Sequence, residues 1–333
     1  MSVLRVRVMA SRNEAKLLVP LGVVLLVVLG LSIFIGRYPT PYIMSPSLLY
    51  HDDMARQVVW SLRLPRVLMA LLLGMTLATA GTVLQMIFRN PLVEPGFLGV
   101  SQGAAFGATL AILWLGSSPL LIEFFATFFA LAGLFLSYYL AKQWNFGGWT
   151  LRLVLAGMVV SALFSSGVGI LKYLADPLTQ LPEITFWLLG GLWSVTWREV
   201  GYSAPVVLAG LLLSYLMRWR LNLLSLNEET AFSLGVAMEW ERALLLVGAV
   251  AATAVVTSVG GIVGWVGLII PHVARRLCGA NAQFTLPTAM LLGGIFVVIC
   301  DDLARTMLLG EIPLGILTSL IGALVFMGLM RSN

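Results

Sequence analysis

Apolar residues fill this chain in long continuous blocks. Ten such runs recur, at about 17–35, 65–87, 93–115, 119–141, 151–173, 199–217, 242–259, 262–277, 284–300 and 313–330. About 20 helical residues cross a hydrocarbon core of about 30 Å. The runs do not alternate with period two, so the pattern predicts helices and argues against a β-barrel. The expectation is an all-α polytopic membrane protein of about ten transmembrane helices, with 1–333 forming a single domain.

One polar interruption stands out, from Arg218 to Arg242. Seven of its 25 residues are charged, against 11% for the whole chain. Ser225 with Glu228 three residues later fits a capping box, and Gly235 fits the position just past a helix end. Glu228 and Glu229 then lie in a first turn, where the helix dipole favours negative charge. A short helix of about two turns is predicted here, between two spans. On its wheel Leu226, Ala231 and Leu234 share one side, while Phe232 falls beside Glu228. Phe232 either anchors a partner or folds back onto the spans.

Composition sharpens the class. The chain has 333 residues, 59% hydrophobic, with mean hydropathy +0.97. That excludes an ordinary soluble domain. Arg5, Arg7, Arg12 and Lys16 precede the first run, which reads as a retained span rather than a cleaved signal. With the N-terminus inside, 13 of the 20 Lys and Arg fall on the cytoplasmic side and seven outside. This asymmetry predicts cytoplasmic N- and C-termini and puts 218–242 in the cytoplasm. The net charge of +5 sits at span ends and is no nucleic-acid signal. Cys278 and Cys300 lie in apolar surroundings and read as core residues.

The remaining interruptions mark bends and rims. Pro39, Pro41 and Pro46 place 36–62 in an outer loop. Pro65 suits a first helical turn. Arg63 and Arg66 share one face at the outer rim, open to snorkelling or to contact with a partner. Pro91 and Pro95 break the chain before Gly99, and broken ends need protein or a water-lined cavity to satisfy them. Gly99, Gly103 and Gly107 are spaced by four, which lets a neighbouring helix approach closely. Residues 174–198 read as an outer loop with a short interfacial helix. Pro271 and His272 interrupt a helix near its inner end, with His272 structural and no metal site implied. No span shows a convincing mid-membrane carboxylate or histidine, which argues against an ion-coupled carrier or channel. No nucleotide loop, catalytic triad or metal cluster is visible. An engine, if there is one, is a separate cytoplasmic protein.

Several blocks, in order, resemble the FecCD/BtuC-like permease family of type II ABC importers. They are Arg63-Leu-Pro-Arg66, Asn90-Pro-Leu-Val-Glu-Pro95 with Leu98-Gly-Val-Ser101, Leu221 to Leu226 with Glu228-Glu-Thr-Ala231 and Ser233-Leu-Gly235, Val266 to His272, Asp301 to Arg305, and Glu311-Ile-Pro-Leu-Gly315. The resemblance implies a permease with no catalytic residues and no cofactor of its own. It further implies a homodimer in the inner membrane, two cytoplasmic ATPases carrying ATP and Mg, and a periplasmic or lipid-anchored binding protein. By position, Leu224, Ser225, Glu228, Glu229, Phe232, Leu234 and Gly235 match the ATPase-coupling segment. Asn90, Leu92, Thr150 and Leu151 match gate positions, and Leu151 departs from the usual small polar residue. Arg63 and Arg305 match outer arginines that dock the binding protein. Asn227 and Ala280-Asn-Ala-Gln283 also depart from the usual pattern. Iron(III)-siderophore is the expected cargo, with cobalamin, haem and molybdate or tungstate as alternatives.

Overall fold

A computed structural model describes residues 2–39, 42–116, 118–226, 228–235, 237–308 and 310–331. The side chains of 2–15, 228, 229 and 232 are outside the description. The architecture is all-α. Among the described residues eight helices are long and apolar enough to cross a membrane, and the shorter helices Val100–Trp114 and Val266–Cys278 fall on the other two predicted segments.

Helix α1 (Ser2–Phe34) leads to a two-stranded antiparallel ribbon, β1 (Ile35–Gly36) with β2 (Tyr42–Ile43). The loop predicted at 36–62 is largely helical. It holds α2 (Leu48–His51) and α3 (Asp53–Val58), and Asp52 caps α3 by accepting from Met54 N at 2.9 Å. A π-helical turn, Val59–Arg63, then joins α3 to α4 (Leu64–Ile87) without a break. Proline explains the turn. Pro65 has no N–H to donate and its ring crowds the carbonyl four residues back, so the ladder widens and Leu64 N reaches Val59 O.

Helix α4 is the centre of the molecule, packed against α9, α12, α13 and α14. A 3₁₀ turn, Pro95–Leu98, precedes α5 (Val100–Trp114), which pairs with α6 (Pro119–Gln143). The glycine spacing works as predicted at two of three positions. A Cβ at Gly103 or Gly107 would lie 2.3 or 2.2 Å from a carbonyl oxygen of α6. Gly99 differs: it caps α5 at φ +78 and faces Val160 of α7 (Trp149–Leu174).

Next come α8 (Gln180–Leu189), α9 (Trp197–Leu216), α10 (Arg218–Leu224), α11 (Glu228–Ser233), α12 (Met238–Gly260), α13 (Val266–Cys278), α14 (Ala282–Thr306) and α15 (Leu314–Arg331). Helix α8 is the short helix expected in 174–198, but it docks on protein. Ile184 is fully buried, and Gly190 takes a hydrogen bond from Leu314 N at 2.8 Å. Helix α9 opens with a capping box between Thr196 and Glu199. Buried hydroxyls such as Thr79, Thr82, Thr109 and Thr253 donate to the carbonyl four residues back, so apolar surroundings leave them satisfied. Cys278 and Cys300 are free and buried. The α4 span is 83% buried, whereas α1, α15 and α7 are only 11, 22 and 28% buried. Those three present apolar faces outward.

Candidate functional site

The polar segment folds as two short helices hung between α9 and α12. Leu221 and Leu224 of α10 are fully buried and anchor it against α4 and α14. Asn222 does more. Its Nδ2 donates to Asn281 Oδ1 at 2.9 Å and its Oδ1 accepts from Ala282 N at 2.9 Å. Asn281 in turn caps α14 by accepting from Gln283 N at 3.0 Å. One amide therefore clamps α10 to the first turn of α14. Arg220 pairs with Glu241 at 3.6 Å, and the Arg218 guanidinium sits 3.9 Å from the centre of the Tyr215 ring.

The expected capping box pairs Ser225 with Glu228, whose side chain lies outside the described residues. Ser225 Oγ donates back to Asn222 O at 2.7 Å and ends α10, so its oxygen serves the preceding helix. Gly235 lies just past α11 at φ +74, in the left-handed region that a C-cap glycine adopts. Ala231 is buried, while Leu234 is 56% exposed. Asn227 and the side chains of Glu228, Glu229 and Phe232 lie outside the described residues, so their expected contacts have no structural counterpart here.

The turn after α4 touches this segment. Arg89 adopts φ +51, and its Nη2 donates to Leu226 O. Asn90 Oδ1 accepts from Leu92 N at 3.0 Å, closing an Asx turn around exposed Pro91. Phe88 stacks on Trp149 with centroids 6.0 Å apart. This stacking ties the end of α4 to the start of α7, where Thr150 and Leu151 follow Trp149. Leu92 and Leu151 are both about half exposed, at 51% and 50%.

Deeper in, two breaks in the helices meet. Pro95 is buried and Gly99 turns the chain into α5, while 261–265 separates α12 from α13. Glu94 packs against the start of α13, where a Cβ at Gly267 would lie 3.7 Å from Glu94 Cβ, and so the two breaks meet. With Ser101, Gln102 and Ser161 it lines a cavity of about 430 Å³. The sequence reading passed over Glu94. Its signal was the placement of a carboxylate between two prolines' worth of broken helix. Helix α13 is pinned to α4 just beyond. A Cβ at Gly81 would lie 1.9 Å from Gly267 O. Pro271 has no N–H for that carbonyl, and Gln85 Nε2 donates to it, and to Leu268 O, at 3.2 Å. Arg275 Nη2 completes the set, donating to Gln85 Oε1 at 2.6 Å. His272 contacts Leu268 O and Arg275 and meets Phe326 edge-on.

At the opposite end the arginines are inside the protein. Arg63 is 5% exposed and donates to Ile33 O and Tyr38 O, both at 3.0 Å. Arg305 is 7% exposed and donates to Ser32 O at 2.6 Å, to Ser32 Oγ at 2.8 Å and to Asp302. Both arginines expected at the docking rim are therefore buried within this chain. Orphan carbonyls where α1 ends draw both guanidiniums inward. Arg66 grips Asp301 through Nε and Nη2 at 2.9–3.0 Å and reaches Glu311 at 2.8 Å. Among the described residues, no group of three or more His, Cys, Asp or Glu could hold a metal ion.

The sequence profile of the FecCD transport family matches residues 23–332. The molybdate import system permease protein MolB of Haemophilus influenzae is 40% identical, covering 96% of each chain. A probable iron chelatin transport system permease protein of Helicobacter pylori is 39% identical over 82% of each. A solved structure described as an inward-facing conformation of a metal-chelate type ABC transporter superposes with TM-score 0.89 at 39% identity, covering 96% of this chain and all of that one.

Proposed function

The chain belongs to the FecCD transport family, as a membrane permease subunit of a metal-chelate type ABC importer, and from that premise we propose how it works and what it carries. Two copies pair through the outward apolar faces of α7 and α15, leaving a pathway between them. The α10–α11 end faces the cytoplasm, in keeping with the excess of Lys and Arg there. An ATPase subunit seats on residues 224–235 of each copy, and a binding protein delivers cargo at the other end.

One observation supports the mechanism: the seat is bonded to two other parts of the chain at once. Arg89 links it to the Asn90–Leu92 turn, and Asn222 links it to the first turn of α14. Closure of the ATPase pair displaces the seat, and the displacement reaches the gate turn through side chains already bonded. The state with ATP and the state without it then differ in the same contacts, which is what coupling requires. Asn222→Ala keeps the seat but cuts the second link. In a reconstituted complex it is expected to hydrolyse ATP with transport per ATP lowered several-fold. Wild-type transport per ATP refutes the linkage.

For cargo we put an oxyanion of the molybdate or tungstate type first. The similarity to a molybdate permease runs over 96% of both chains, whereas that to the iron chelatin permease runs over 82%. A ferric chelate is the second reading. Uptake of radiolabelled molybdate, tungstate and ferric chelates by the complex with its cognate binding protein decides between them. Transport of a chelate alone overturns the first reading.

A further inference from the structure

At the α10–α11 end, α6, α7 and α12 enclose a recess of about 730 Å³. Among the described residues Lys142, Arg152 and Arg242 line it together with one carboxylate, Glu239. Its aromatic walls include Trp149 and Trp240. Lys142 Nζ lies 4.9 Å from the centre of the Tyr138 ring, and the Arg242 guanidinium 5.3 Å from that of Trp149. The recess opens where α6 ends at Gln143, α7 begins at Trp149 and α12 begins at Met238. Three membrane-crossing helices therefore terminate around it, at headgroup depth. Gly148 gives α7 no side-chain cap and its first turn holds no acidic residue, so that turn favours an anion, whereas the first turn of α12 already carries Glu239 and Glu241.

We propose that this recess binds the phosphate of an anionic phospholipid. Charge complementarity supplies the attraction, and Trp and Tyr suit the boundary between headgroup and chain. The neighbouring surface argues for lipid over a soluble acidic partner. Phe124, Phe128, Phe135 and Tyr139 form an exposed apolar stripe along α6 that runs up to the recess, and an acyl chain lies along it. The bound phosphate sits beside Trp149, next to Thr150 and Leu151, and holds the 144–151 loop in place. The proposal is independent of cargo identity and of which leaflet the recess faces.

The test uses the full chain in mild detergent, with bound lipid counted by native mass spectrometry. Dioleoylphosphatidylglycerol is expected to be retained about tenfold or more over dioleoylphosphatidylcholine, and 0.5 M salt, an added concentration of roughly this order, should suppress the preference. K142Q/R152Q should lose most of that preference and K142R/R152K should keep it. Equal retention of the two lipids by the wild type overturns the proposal even if the glutamine variant fails to fold. So does an unchanged preference in a folded K142Q/R152Q protein. Displacement of the lipid by equimolar inorganic phosphate identifies an ion site instead. Loss of ATPase association with lipid retention intact identifies a protein partner. Either result overturns the lipid assignment.

Discussion

Gln85 is the side chain whose removal tests the crossing of α4 and α13 most directly. It is 3% exposed. Its amide donates at 3.2 Å to the carbonyl that Pro271 leaves without its helical partner, and its oxygen accepts from Arg275 at 2.6 Å. Gln85→Met keeps the volume and removes these two bonds along with the one shared with Leu268 O. A neutral bond contributes about 1 kcal/mol and one to a charged group about 1.5–3 kcal/mol, so the substitution is expected to cost about 2–4 kcal/mol. Pro271→Ala returns an N–H at the position that bonds Gly267 O along the helix. In that background Gln85→Met loses mainly the arginine bond, and its cost should fall by about 1 kcal/mol. The assay is a double-mutant cycle of equilibrium unfolding in mild detergent, with four proteins. Equal costs in the two backgrounds, within about 0.3–0.5 kcal/mol, refute the assignment of Gln85 to the carbonyl freed by proline.

Three further outcomes follow from the geometry. Gly81→Ala places a methyl 1.9 Å from Gly267 O and should destabilise the protein by about 1–3 kcal/mol or more, whereas Gly22→Ala, with nothing within 4 Å, should be silent in the same melt. Arg66→Met strips a nearly buried carboxylate, Asp301, of its bidentate partner and should cost about 3–5 kcal/mol, while Arg56→Met at an exposed pair is near neutral. Thr179 Oγ1, followed by the amides of Thr179 and Leu178, holds the Asp176 carboxyl below the ordinary carboxylate range. The turn's stabilisation is therefore complete above the ordinary carboxylate pKa and is lost as pH falls through the lowered value. Thr179→Ala should move the Asp176 titration, followed by carboxyl NMR, back upward, and an unmoved titration refutes the cause.

Much of the site was legible along the chain. Pro95 with Gly99 announced a broken helix, and the break is there; Pro271 announced another, yet α13 runs unbroken through it, and Gln85 takes the carbonyl the proline leaves. Gly235 announced a helix end and sits at positive φ. Ser225 lies near two helix ends, and its hydroxyl donates to the one before it, closing α10. The capping box that forms among the described residues, Thr196 with Glu199, was written in the same pattern some thirty residues earlier, roughly the length of a long helix and a turn. Arg63 and Arg305 lie buried within the chain. A rim arginine and a buried one share the same sequence position, and which it becomes depends on whether unpaired carbonyls lie within reach. A glutamate at either place is now expected to disrupt folding before it disturbs docking.

The sequence by itself determined the ten membrane segments, their breaks and the polar segment between α9 and α12. Those follow from chain-local physics: hydrocarbon thickness, missing N–H groups and left-handed turns. Tertiary structure alone decided that Asn222 clamps α14, that Gln85 answers Pro271, that Glu94 packs against the start of α13, and that the outer arginines turn inward. Each of those pairs residues far apart in the chain, and an amide or guanidinium carries no local mark of its partner. In a membrane interior a polar group has no water to fall back on, so the fold must find that partner among distant helices.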